Sequence, residues 1–425
     1  MHTVRSFLAA AAAGLGGLML VSAFGAGPWP PATAAVAGET RDLAESMNKL
    51  GGALIGSLVG KSGAESVIVS PYGLGSALHL LSFGAGGPAQ QVLRSKLLPP
   101  GFKAVQQVEG LITLRRQVLG ANRDKVKLTV ASAVFVPEEA RPWSQFVGTA
   151  LGVFDAVPES LDFEDEAAVV RINAWAEQAS RGLIPKIVER LDAQSRFVLA
   201  NVVYFHGAWA AAFEPERTAK APFTRVDGSK REVAMMNATI SVEFAEFDKL
   251  RAVWLPYAGK EMAMFVVAPG ERQGPGAIAE ALKRKSLGEL MAEAQEKQRT
   301  LALQVRLPRF RAESKLDATN ALAGLGLGSA FSPWSNYHAI NRKGGAPLQV
   351  THRAVLEVTE AGTKAAASTT ITADRSLAAR PSFAADRPFA FAVVHRPTGA
   401  VLFAGYIADP GDDPGSAITE PKAVR

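Results

Sequence analysis

Apolar residues along the chain change period between its two halves. From Glu39 to Leu58 they recur at helical spacing (Leu43, Met47, Leu50, Leu54, Leu58), which predicts an amphipathic helix. Ser66–Ser70 reads as a strand closed by Pro71. A helix is expected from there, because Ser70 is a good N-cap, proline fits a first turn, and Leu74, Leu78, Leu81 and Ala85 form a stripe. Val126–Val136 predicts a strand, and Arg171–Ser180 a helix with Ile172, Trp175, Ala176 and Ala179 on one face. Arg196–Phe205 is largely apolar, as a strand covered on both faces would be. Beyond residue 220 the signals are mostly strand: 239–247, 250–256, 261–268, 300–310, 348–359, 389–396 and 400–407, with helical interruptions at 276–297 and about 315–325. Helices in the first half and strands in the second define an α+β protein with segregated elements.

The termini and composition narrow the class. Arg5 precedes an uncharged stretch whose apolar core runs from Phe7 to Phe24, followed by small-residue cleavage points such as Ala32-Thr33-Ala34 and Ala35-Val36-Ala37. That order predicts a signal peptide and flexible leader over 1–37, hence a secreted protein, extracellular or periplasmic. An uncleaved anchor helix is the other reading, disfavoured by Pro28, Pro30 and Pro31. No later stretch approaches the ~18 apolar residues of a membrane span. The net charge is +6, mostly interspersed, which gives no case for nucleic acid. With no cysteine, disulfides, thiolate metal sites and thiol catalysis are excluded. Six histidines in no metal-ligating spacing make a histidine metal site unexpected as well. A single domain is expected over 38–410, with a flexible Pro/Asp/Gly-rich tail over 411–425.

Catalytic motifs are missing. There is no nucleophile elbow, no phosphate loop and no S-x-x-K. Gly324–Gly328 is glycine-rich but fits a helix end and turn, not a dinucleotide site. Glu138-Glu139 and Asp412-Asp413 read as surface charges. No cofactor or metal is called for, and the chain is not read as an enzyme.

One segment stands apart. Thr359–Pro388 holds thirty residues with few bulky apolar side chains, between two strongly strand-like runs. A loop that long inside a domain is uncommon and usually functional or disordered. Small, β-tolerant residues alternate at Thr363, Ala365, Ala367 and Thr369, so that face suits a sheet interior while Lys364, Ala366 and Ser368 point outward. The segment is therefore an exposed loop able to become a strand. In its middle, Arg375-Ser376 is a bond that a trypsin-like protease would cut.

Here the chain resembles the serpin family, from about Glu39 to Pro410. Glu360, Gly362, Thr363, Ala365, Ala366, Ala367, Ser368 and Thr369 resemble the hinge of an inhibitory reactive loop, placed at about 360–387, and Arg375-Ser376-Leu377 is similar to the loop of antithrombin. Ser70-Pro71, Ile172-Asn173 through Ile184, Leu199–Trp209, Val350–Val355 and Phe403–Pro410 are family-like in the same order. The resemblance implies helices packed around three β-sheets and an exposed loop that inserts into the largest sheet. It further implies a monomeric suicide-substrate inhibitor whose partner, a trypsin-like serine protease, is trapped as a covalent complex. Carrier, chaperone and structural serpins remain the alternative class.

The reactive bond is expected at Arg375-Ser376. The commonest family spacing from Gly362 instead gives Ser376-Leu377, which would suit an elastase-like protease. The resemblance places Ser70, Asn201 and His352 in a polar cluster beneath the sheet opening and Trp209 at the point where the loop first enters. Gly73 stands where the family often has a second serine. Lys364 and Ala361 replace acidic residues. Arg115, Arg116, Arg123, Lys125 and Lys127 offer a polyanion site as in some relatives, although an ordinary charged surface is the plainer reading.

Overall fold

The computed structural model describes residues 34–415 apart from 61–62, 123–124, 192–196, 314–315, 333, 343–347 and 361–380. Helix α1 spans Ala34–Val59 and buries Leu43, Met47, Leu50 and Leu54, the stripe read from spacing. Strand β1 (Val67–Val69) leads through Ser70 into α2 (Pro71–Gly84), and the Ser70 hydroxyl accepts from the Gly73 N–H as the N-cap. Three elements with no predicted counterpart intervene or follow: α3 (Gly87–Leu97), α4 (Ala104–Gly120) and, after β2 (Val126–Pro137), α5 (Ser144–Phe154). A short β3 (Glu159–Leu161), α6 (Glu166–Ala179) and β4 (Phe197–Gly207) complete the first half.

In the second half, β5 (Ala219–Thr224), the eighteen-residue β6 (Lys230–Phe247), β7 (Leu250–Pro256) and β8 (Met262–Pro269) follow as a meander. The helical interruption is two helices, α7 (Ala277–Arg284) and α8 (Leu287–Lys297), parted where Ser286 caps α8 reciprocally with Glu289. Then come β9 (Arg299–Pro308), β10 (Phe310–Glu313), β11 (Leu316–Asp317) and α9 (Ala318–Leu322). Gly326, at φ +86°, ends the widened turn after α9, as the helix-end reading of this glycine run requires. Strands β12 (Leu348–Val358), β13 (Ser382–Ala384), β14 (Phe389–His395) and β15 (Ala400–Ile407) close the fold.

The α+β class is as expected. Among the described residues the hydrogen bonds define two sheets: a nine-stranded one in the order β1-β15-β14-β8-β7-β6-β9-β13 with β5 on β6, and a six-stranded one in the order β10-β12-β4-β2-β3 with β11 on β12. The family resemblance implies three sheets; here the larger one is continuous through the long β6, which links a β5-paired part to a β7-paired part.

Both faces of the six-stranded sheet are covered, which is why β4 is almost uniformly buried and apolar. On one face lie Ile172 and Ala176 of α6, with Ile184, Ile187 and Val188 behind them, packed on Phe135, Val198, Val202 and Val355. Asn173 fixes that segment: its Oδ1 accepts from the N–H groups of Ile187 and Val188, at 2.8 and 3.0 Å, and its Nδ2 donates to the Val188 carbonyl. The main core, with α2, lies on the other face.

Candidate functional site

The six-stranded sheet has an unusual seam. β12 and β4 are parallel, in register from Leu348 opposite Phe197 to Leu356 opposite Phe205. Their outer neighbours are antiparallel: β10 on β12 and β2 on β4. A segment that follows β12 and turns back would run antiparallel to both seam strands. The seam thus has the polarity to admit one more strand between them.

Across the middle of the seam lie three of the residues expected there. The Ser70 N–H donates to His352 Nε2 at 3.0 Å, so that nitrogen is the acceptor and the proton resides on Nδ1. Nδ1 then donates to Asn201 Oδ1, also at 3.0 Å. The Asn201 amide donates to the Ala131 carbonyl and to Ser132 Oγ, both at 3.1 Å. Ser132 is a member that sequence reasoning missed; it faces Asn201 in the β2–β4 register. Burial, with Arg353 nearby, pushes the His352 pKa down to about 4, so the ring is neutral near pH 7. Gly73 is not a loss in this network. A Cβ there would lie 2.3 Å from Val203 and 2.7 Å from Asn201 Oδ1, so the close approach of α2 to β4 requires glycine.

At the end of the seam, Trp209 Nε1 donates to the Thr359 carbonyl at 2.9 Å, and the indole stacks on Tyr257 with ring centroids 4.5 Å apart. Trp209 therefore ties the chain beyond β4 to the exit of β12. The next residue, Glu360, is 1% exposed and carries a carboxylate. It is held by Arg309 Nε at 2.7 and 2.8 Å, by Arg309 Nη2 at 2.5 Å and by the Thr218 hydroxyl. Arg309, Thr218 and Tyr257 were not legible as site residues. Arg309 falls inside a predicted strand, and its role depends on the break between β9 and β10. Of the hinge, Glu360 alone lies within the described residues. Gly362, Thr363, Ala365, Ala366, Ala367, Ser368, Thr369 and the bonds at Arg375, Ser376 and Leu377 lie outside them.

Among the described residues no cluster of three metal-ligating side chains occurs, and no helix is long and apolar enough to cross a membrane. Of the cations considered for polyanions, Arg115 is paired with Asp155 at 3.2 Å, and Arg123 lies outside the described residues.

A sheet with a parallel seam and a polar latch across it fits the serpin architecture. The chain belongs to the serpin family of serine protease inhibitors: the family model matches residues 45–410. It is 34% identical over 364 residues to glia-derived nexin of Rattus norvegicus, covering 81% of this chain and 88% of that protein. It is 29% identical to plasminogen activator inhibitor 1 of Sus scrofa, over 81% and 87% of the two chains. The solved structure of native protease nexin-1 with heparin superposes with a TM-score of 0.78 at 26% identity, covering 87% of this chain and 99% of that one.

Proposed function

We propose that this serpin is a secreted suicide-substrate inhibitor of trypsin-like serine proteases, cut after Arg375. In this reading the protease serine Oγ attacks the Arg375 carbonyl carbon. The peptide C–N bond breaks, and the Ser376 amine departs with a proton delivered by the protease histidine. The chain up to Arg375 stays on the protease as an acyl ester. Insertion of the freed loop into the seam, the known device of serpins, then distorts the protease before water can release it. The inhibitor contributes no catalytic group. Each inserted residue gains backbone hydrogen bonding worth about 1 kcal/mol per bond.

The observation that carries this reading is the parallel β12–β4 pair, because a segment returning from the end of β12 would run antiparallel to both strands if they parted. Small residues at 363, 365, 367 and 369 support it, since none would obstruct a strand facing the core. Arg375 supports a trypsin-like target because a desolvated guanidinium–carboxylate pair is strong and directional. The leader at 1–37 supports export.

The test is incubation with trypsin followed by denaturing electrophoresis. A band of summed mass is expected. A clipped product alone, across a panel of trypsin-like and elastase-like enzymes, would overturn the inhibitory reading in favour of a carrier or structural serpin.

A further inference from the structure

The family match ends at residue 410, yet the residues just beyond it are held in place. Asp409 receives Arg225 at 2.6 Å and Arg231 at 3.4 Å, and Asp412 pairs with Arg231. Two turns closed by aspartate side chains, Asp409 to the Gly411 N–H and Asp413 to the Gly415 N–H, carry the chain onward across the β5–β6 end of the large sheet. Asp413 then meets Arg309 Nη1 at 3.2 Å.

Arg309 is the residue that grips Glu360. Its backbone N–H donates to the Ala234 carbonyl, which fixes it at the junction of β9 and β10. Its guanidinium faces two carboxylates, Glu360 on the buried side and Asp413, 46% exposed, on the outer side. The side chain is 11% exposed, so it has little other company from solvent.

The contacts around Glu360 divide into two kinds. Those from Trp209 to Thr359 and from Thr218 to Glu360 come from the chain that follows β4, and a strand entering between β4 and β12 must strain them. The Arg309 contact comes from the β10 side, and β10 pairs with β12 on the edge away from β4. Glu360 is thus the last described residue before the loop, and Arg309 holds it from the side away from β4.

We propose that Asp413 is a positioning residue for loop insertion: by holding Arg309 from outside the matched domain, it fixes Glu360 as the pivot on which the loop turns. The inference rests on the inhibitory reading above for its consequence but not for its geometry. Without Asp413 the pivot is looser, and the turn at Glu360 must be ordered during insertion rather than beforehand. Insertion then competes less well with hydrolysis of the acyl ester.

Two measurements on the full chain test this. Backbone amide hydrogen exchange over 355–360 in intact protein should rise about threefold in Asp413→Asn, the scale of a half-exposed ion pair, and return toward wild type in Asp413→Glu. The rest of β12 and β4 should be unchanged. With trypsin, Asp413→Asn should consume more inhibitor per protease trapped, while the melting midpoint of loop-cleaved protein stays the same. Unchanged exchange at 355–360, or a rise spread evenly over the sheet, would overturn the proposal. Wild-type protein that forms no covalent complex would sink the inhibitory reading alone, since the exchange result decides the role of Asp413 independently.

Discussion

His352 on β12 stands directly opposite Asn201 on β4 in the register of the parallel pair, and a 3.0 Å hydrogen bond joins their side chains. Both are buried, so the bond is a latch across the seam and not an ornament of its surface. Substituting His352→Ala strips partners from the Ser70 N–H and Asn201 Oδ1, each an unmet buried group costing about 1–3 kcal/mol. The melting midpoint of the intact protein should fall. An unchanged midpoint would show that the latch contributes nothing.

Acid should act on the same latch. Burial holds His352 and His395 down to about 4 and His79 to about 3. In the unfolded chain all three titrate near the ordinary 6.5. Between about pH 6.5 and 4 the unfolded chain therefore binds more protons, and stability declines as pH falls through that window. Melting curves from pH 7 to pH 4 should record this decline, with a shallower slope in His352→Asn. A flat profile in the wild type would contradict it.

Gly73 offers a test in the opposite direction from family habit. Serine there places a Cβ 2.3 Å from Val203, so Gly73→Ser should destabilise the intact protein by about 1–3 kcal/mol through overpacking. Chemical denaturation would measure it. A stabilised variant would mean that α2 shifts freely away from β4.

The reactive bond is decided by sequencing the small fragment released when a protease complex is denatured. A start at Ser376 is expected. A start at Leu377 would move the target class toward elastase-like enzymes. Correspondingly, Arg375→Ala should abolish inhibition of trypsin-like enzymes and leave the fold intact by circular dichroism.

Thr363→Arg places a long charge on the face of the loop expected to enter the core. The variant should be cut as a substrate without trapping the protease. In the wild type, cleavage in the loop should raise the melting midpoint well above that of the intact protein, and in Thr363→Arg that rise should shrink. A persistent covalent complex in the variant would count against insertion by this face.

Much of this is legible in the sequence. The α1 stripe, the Ser70-Pro71 helix start and the apolar β4 each follow from local pattern, and Ser70, Asn201 and His352 do meet. What escaped was set by distant contacts. Arg309 and Glu360 are 51 residues apart in sequence, and Thr218 and Glu360 are 142 apart. No periodicity marks such pairs. Helices α3, α4 and α5 had no predicted counterpart: polar residues such as Gln90-Gln91 and Arg115-Arg116 interrupt the stripes of α3 and α4, and α5 starts after Trp143 with no side-chain cap to announce it. The value of Gly73 was hidden too, because a missing side chain has meaning only once its neighbours are in place.

The seam also bears on how much freedom its amino acids have. A position in an ordinary core answers to one set of neighbours. Along β4 and β12, residues such as Leu199, Val203, Ala354 and Leu356 would touch each other's strand before cleavage and the inserted loop afterwards. Under the proposed insertion their shapes would be a compromise between two packings written in one stretch of sequence. Substitutions that perfect the fit of the closed sheet would therefore make a sturdier protein and a poorer trap, and repertoires selected for heat resistance alone should drift toward inertness at these positions.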